Sequence, residues 1–190
     1  STNKDDRLSV YKSLIREVLA RKKSLILVGP TVRIVEELFE STTKGIEHVS
    51  VLLHGSLSKK KMDDAWESAL EGGDGQSKDN RGKIIVCTPQ YMCIPRMDIE
   101  TIIMEKESSR AYKTFQPPYF DWRTFAEIYS KLLGTRLMYG DQLLSIETIH
   151  RIQELEINEP FPLSFRIQKE AEVIIVDQKN HQAPVIAEGE

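Results

Sequence analysis

Apolar and polar positions alternate along the chain in two rhythms, one helical and one of short unbroken apolar runs. Leu8, Leu14, Ile15, Val18 and Leu19 recur at helical spacing, which predicts an amphipathic helix over Arg7 to Lys22. Ser24-Leu-Ile-Leu-Val28 is a short apolar run stopped by Gly29-Pro30, the signature of a strand buried on both faces. The alternation then repeats. A helix is expected from Val32 to about Phe39, a strand at Val49–Leu53, and a helix behind Ser58 that carries Asp63, Asp64, Ala65, Trp66 and Leu70. Gly72 to Gly82 has no periodicity and reads as a surface loop. Strands follow at Lys83–Thr88 and Thr101–Met104, joined by a connector from Pro89 to Asp98. A helix from Thr124 to Leu133 ends at Gly134, and a strand at Arg136–Tyr139 leads to Gly140-Asp141. Ser145 is placed to cap a helix over Glu147 to Leu155. Glu156 to Pro162 reads as a linker, and Glu172–Asp177 as a last strand. Strands alternating with helices imply an α/β fold with a mostly parallel sheet and right-handed crossovers.

Composition narrows the picture only modestly. The chain has 190 residues, 40% hydrophobic and 29% charged, enough for one domain with a sizeable core or one domain plus an appendage. A net charge of -3 excludes polyanion binding by bulk charge, so any nucleic-acid contact must be local. Cys87 and Cys93 are too few for a zinc site or a disulfide framework, and Cys87 reads as a small core residue. His48, His54, His150 and His181 show no ligand spacing. No apolar run approaches a membrane span and no signal peptide is visible, so a cytoplasmic setting without membrane contact is expected.

Two stretches carry candidate chemistry. Thr101-Ile-Ile-Met104 ends abruptly in Glu105-Lys106-Glu107. In parallel α/β sheets, ligands sit just past the carboxyl ends of strands, and in phosphoryl-transfer folds an acid there carries Mg²⁺. Here a lysine follows the first acid at once. The second stretch interleaves Tyr112, Phe115, Tyr119, Phe120 and Trp122 with Lys113 and Arg123. Such a mixture can stack bases and hold phosphates. It can equally be a loop braced by Pro117-Pro118 whose rings pack on the domain, and spacing alone favours packing. Lys59-Lys-Lys61 is a weaker candidate, because Asp63, Asp64 and Glu67 make a solvated helix face the simpler reading.

Three segments resemble the first RecA-like motor domain of PriA-type primosomal replication-restart helicases, in helicase superfamily 2. They are Leu19 to Val28, the frame of Ile102-Ile103 with Tyr112-Lys113, and Lys131-Leu-Leu-Gly134 through Gly140 to Ser145-Ile-Glu-Thr148. The resemblance covers nearly the whole chain. It implies a three-layer RecA-like fold over residues 1–156, with 157–190 leading to a following domain. The family's motifs are largely replaced. Its phosphate loop T-G-S-G-K-T falls on Asn3-Lys4-Asp5-Asp6-Arg7-Leu8, which has no glycine to open backbone donors to phosphate. Its D-E-E-H falls on Glu105-Lys106-Glu107-Ser108, its G-T-R-S-A on Cys87 to Tyr91, and its G-S-A-T-P-S on Gly140 to Ser145. Since the family's phosphate loop follows a central strand, that strand is expected to be missing here, either because the chain belongs to a longer protein or because the other strands close up.

Three functions follow as expectations. One is a non-catalytic helicase-like module of replication restart that binds single-stranded or forked DNA, or primosome proteins, through Tyr112, Lys113, Phe115, Trp122 and Arg123. Its partners would include remaining domains of a longer chain, and no cofactor is expected. Another is a domain that keeps nucleotide binding or weak ATPase activity, with Glu105 and Glu107 on Mg²⁺ and Lys4 or Arg7 on the phosphates of ATP. The last is a protein-interaction scaffold with no DNA role.

Overall fold

The computed structural model describes residues 4–73 and 82–158. The expected strand at Glu172–Asp177 and most of the Gly72–Gly82 loop lie outside these residues. Five parallel strands, β1 (Ser24–Val28), β2 (Ser50–Leu53), β3 (Ile84–Cys87), β4 (Ile99–Glu105) and β5 (Arg136–Gly140), form one sheet in the order β2-β3-β1-β4-β5. The sheet is continuous, so no gap opens between described strands where a central strand was expected to be missing. Every residue of β1 and β3 is buried, which is why both read as unbroken apolar runs. β4 is longer than its apolar run because Ile99 pairs with Ser24 ahead of the main register, in which Leu25 faces Thr101 and Val28 faces Met104.

Helices cover both faces. On one face α1 (Lys4–Ala20) and α2 (Val32–Thr42) place Tyr11, Ile15, Val18, Val35 and Leu38 against Leu25, Leu27, Ile84, Val86 and Ile103. On the other, α3 (Lys59–Leu70) and α4 (Trp122–Leu133) pack Trp66, Ala69, Phe125, Ala126 and Tyr129 against Ile26, Val28, Ile85 and Ile102. A last helix, α5 (Ile146–Gln153), lies beside α4, where Arg151 donates to Glu127. Cap chemistry sets the helix boundaries. The side chains of Thr31, Ser58, Asp121 and Ser145 accept from N–H groups in the first turns of α2, α3, α4 and α5. Gly134, at φ 65°, closes α4 in the left-handed conformation that glycine adopts without steric cost.

The connector from Pro89 to Asp98 hides a buried charge network. Arg96 is 1% exposed. It donates to Asp98 Oδ1 and Oδ2 at 2.9 and 2.7 Å, and at 2.7 Å to the carbonyls of Ala69 and Glu71 at the end of α3. Ser24 Oγ donates to the same Asp98 carboxylate at 2.7 Å. The network satisfies carbonyls that a helix end leaves open and pins α3 to the start of the sheet. Cys87 is buried as expected, and burial pushes its thiol up. Among the described residues no helix is long and apolar enough to cross a membrane.

Candidate functional site

The carboxyl ends of β1, β4 and β5 meet the first turns of α1 and the loop before α5. Here Arg7 and Glu105 pair with each other, while Lys4 and Glu107 take other partners. Arg7 Nη2 donates to Glu105 Oε1 at 2.6 Å and Arg7 Nε to Oε2 at 3.3 Å, a two-point ion pair. Tyr11 hydroxyl donates to Glu105 Oε2 at 2.6 Å. Arg7 is 8% exposed and Glu105 4%. Both carboxylate oxygens are therefore engaged inside the protein. Burial lowers the Arg7 pKa, yet the hydrogen bond and charge of Glu105 outweigh it and hold the guanidinium above its ordinary value. Burial first, then the Glu105 charge, pushes the Tyr11 phenol up. Gly140 completes the cluster: a Cβ there would fall on the Tyr11 hydroxyl and stand 3.0 Å from Glu105 Oε2.

Lys4 lies apart from this pair and bridges to Glu37 of α2 at 3.1 Å. Residues 4–8, where the resemblance puts a phosphate loop, form the opening turn of α1, with Asp5 and Asp6 exposed in it. A small cleft beside them is lined by Lys4, Leu8, Ile34, Glu37 and Lys106.

Glu105 and Glu107, paired by the sequence as metal acids, serve different partners. Lys106 between them turns left-handed, φ 55°, and breaks the strand. Glu107, 2% exposed, accepts from Ser145 N at 2.8 Å, Ser145 Oγ at 2.7 Å, Thr148 Oγ1 at 2.9 Å and Arg123 Nη1 at 3.3 Å. It is the anchor of the α5 N-terminus. Asp141 accepts from the backbone and hydroxyl of Ser108 at 2.8 and 2.7 Å, which ties the ends of β4 and β5.

The five residues expected to contact DNA separate by environment. Tyr112 is fully buried, and its hydroxyl donates to the carbonyls of Glu105 at 2.7 Å and Val28 at 3.1 Å. It closes the ends of two strands and presents no ring to a base. Arg123 grips Asp121 through Nε at 3.0 Å and Nη2 at 2.8 Å and reaches Glu107, so its charge is spent internally. The Asp121 contact, the largest cause, raises the Arg123 pKa. Trp122 is half-buried and meets Phe120 edge-on at 4.7 Å and Phe125 at 5.8 Å. Lys113 and Phe115 remain outside, with Phe115 71% exposed. Between them and Asp121 the chain forms a closed hairpin. Lys113 and Asp121 share an antiparallel bridge, and Thr114 N donates to Phe120 O at 2.8 Å while Thr114 Oγ1 accepts from Phe120 N at 2.6 Å. Tyr119 stands out from the same loop at 77% exposure, and Lys106 and Arg110 are exposed nearby in sequence. The sequence reading gave Tyr11 and Asp121 no site role. Tyr11 had a local signal, four residues from Arg7 on one helix face.

The five-stranded parallel sheet with helices on both faces is an α/β fold of the RecA-like kind. The sequence relatives are more particular: the chain is similar to the replication restart protein PriA of Helicobacter pylori. It is 20% identical over 148 residues to the protein of strain J99 and equally so to that of strain 26695, with 78% of this chain covered each time. The chain spans 23% of the length of these relatives. No family model matches it. Among solved structures it is similar to the C-terminal domain of S. cerevisiae Dbp5, which was solved bound to Gle1 and IP6. That match has a TM-score of 0.52 and 16% identity and covers 82% of each chain. It concerns the fold alone and does not single out a first motor domain.

Proposed function

We propose that this chain is a helicase-like module of a replication-restart protein that has lost ATP turnover and contributes DNA or primosome-partner binding. The observation that carries the reading is the Arg7–Glu105–Tyr11 cluster. It occupies the junction where the family resemblance would bring triphosphate and metal together. A magnesium nucleotide fits these residues poorly. Both Glu105 oxygens accept from Arg7 and Tyr11, and a side chain on Gly140 would collide with Tyr11. Asp5 and Asp6 add negative charge where phosphates would approach. Losing positioning and charge-stabilising groups typically costs on the order of 10²–10⁵ in rate for each. No step of hydrolysis is therefore assigned to this chain.

DNA contact falls to the hairpin from Lys113 to Asp121, whose exposed Phe115 and Tyr119 stand on a loop pre-shaped by Thr114. A rigid aromatic platform loses little entropy on stacking, and each stacked base is worth about 1–3 kcal/mol. Lys113, 3.9 Å from Asp121, supplies a charge within reach of a phosphate.

Calorimetric titration with ATP and Mg²⁺ is expected to give no heat, and DNA is expected to elicit no hydrolysis. A DNA-stimulated ATPase abolished by Glu105→Ala would overturn the first half of the reading. A Lys113→Ala/Phe115→Ala/Tyr119→Ala variant is expected to bind a forked oligonucleotide at least tenfold more weakly, with parent binding that falls steeply with salt. Unchanged affinity in that variant would remove the hairpin from the DNA interface.

A further inference from the structure

β5 is the last strand on its side of the sheet, and among the described residues nothing pairs with its outer edge. In a parallel strand alternate residues direct their N–H and C=O to opposite sides, so about half of those in β5 are left without a ladder partner. Its interior residues Leu137, Met138 and Tyr139 are only half-buried, whereas β1 is buried throughout. The helix that follows, α5, repeats isoleucine at every third position, Ile146, Ile149 and Ile152. Ile146 is 83% exposed and Ile149 41%, and Leu143 ahead of them is 67% exposed. Among the described residues, the edge of β5 is thus open and the apolar stripe of the helix that follows it is uncovered. Each is a feature that folded proteins cover.

Handedness says what comes next in space. From β1 to β2 the chain crosses by α2 on one face, and from β2 to β3 it returns by α3 on the other. From β4 to β5 it crosses by α4 on the α3 face. These steps share one hand, the right-handed rule for parallel crossovers. α5 sits on the α4 face, held by Arg151 on Glu127 and by Glu107 on Ser145 and Thr148. A strand reached from β5 through α5 with the same hand lands on the outer side of β5.

The chain continues from Asn158 to Glu190 and contains Glu172-Val-Ile-Ile-Val-Asp177. This run has the β-branched composition of β3 and is bounded by acids. The intervening stretch, 159–171, can reach about 40 Å when extended, ample to return from the end of α5 to the sheet. We propose that Glu172–Asp177 docks on the open edge of β5 as a parallel sixth strand and covers the Ile146–Ile149 stripe of α5.

Amide exchange of the full chain, read by peptide mass spectrometry, tests this. The amides of β5 are expected to exchange as slowly as those of β4. In Ile174→Pro/Ile175→Pro, which removes a ladder N–H in either register, β5 and α5 amides are expected to exchange at least tenfold faster, with β1 and β3 unchanged. Ile175→Lys/Val176→Lys, which keeps every N–H but places a charge on either face of the run, is expected to shift β5 and α5 the same way and serves as the readout should the proline variant unfold. β5 amides that exchange fast in the parent, or equally slowly in parent and variants, would overturn the proposal. So would protection that rises with protein concentration, because a second copy would then be the occupant.

Discussion

Glu105 shows how one residue can keep its place and change its task. It ends a buried strand, as a metal-binding acid would, yet two partners on one turn of α1 neutralise and saturate it. Removing one member of a buried ion pair typically costs about 3–5 kcal/mol, because the other charge is left unpaired, whereas replacing both by apolar groups is close to neutral. Glu105→Ala is accordingly expected to lower stability by about 3 kcal/mol in chemical denaturation, with Arg7→Met/Glu105→Leu recovering most of the loss. If Glu105→Ala left the denaturation midpoint unchanged, the carboxylate would not be the internal tie described here. An acid at the end of an apolar run was legible in the sequence. Its partner was not, since Arg7 lies 98 positions earlier. The aromatic–basic stretch has the same limit. Tyr112 and Phe115 are three residues apart, one fully buried and the other 71% exposed. Composition is identical for a core-facing and a solvent-facing ring, and only the 3₁₀ turn over Arg110–Tyr112 separates them.

Among the elements, α5 is held by charges more than by apolar contact, so its docking should depend on pH. Glu127 accepts from Arg151 and from the Tyr139 hydroxyl. Burial pushes its carboxyl up, but the Arg151 and Tyr139 hydrogen bonds outweigh this and hold it below the ordinary carboxylate value of 4.5. A group depressed in the fold contributes stability above its unfolded value and loses it as pH falls through the folded one. α5 amides are therefore expected to lose exchange protection on acidification below the ordinary carboxylate range, before those of β1 and β3. In Glu127→Gln their protection should be lower at neutral pH and flatter with acid. An α5 that loosened only together with the central strands would contradict this. The helices and strands themselves were legible where periodicity or complete burial is strong. Ser58, Gly134 and Ser145 mark helix ends as the sequence suggested. What escaped were the 3₁₀ turns at Glu47–Val49, Pro89–Tyr91 and Arg110–Tyr112 and the two residues that lengthen β4 at its start. These depend on a neighbouring chain or on loop closure rather than on local pattern.

For the whole molecule, an α/β parallel sheet was readable because buried parallel strands leave continuous apolar runs. The order β2-β3-β1-β4-β5 was not, because handedness constrains each crossover but not how many strands it skips. The finished sheet separates two cores, and ionisable tyrosines are built into both. Tyr11 belongs to the α1 face; Tyr112, Tyr129 and Tyr139 belong to the α4 face. Each hydroxyl donates a hydrogen bond: Tyr11 to Glu105, Tyr112 to two strand-end carbonyls, Tyr129 to Ile94 O at 2.9 Å and Tyr139 to Glu127. Burial, the largest cause in every case, raises all four above the ordinary phenol value of 10.0, with Tyr129 pushed up to about 12. A pKa raised in the fold gives stability that is complete below the unfolded value and disappears as pH rises toward the folded one. Ionising any of them also destroys the donor its acceptor relies on, and for Tyr11 and Tyr139 it sets a second negative charge against a carboxylate. Above pH 10 the free energy should therefore fall steeply, as the four phenols and the raised Cys87 thiol all link protons to unfolding, and both cores should fail in one step. Tyrosinate absorbance and loss of helical circular dichroism are expected to rise together in a single steep transition. Separate transitions would mean that the two faces of the sheet melt independently and that the strands between them do not couple the cores.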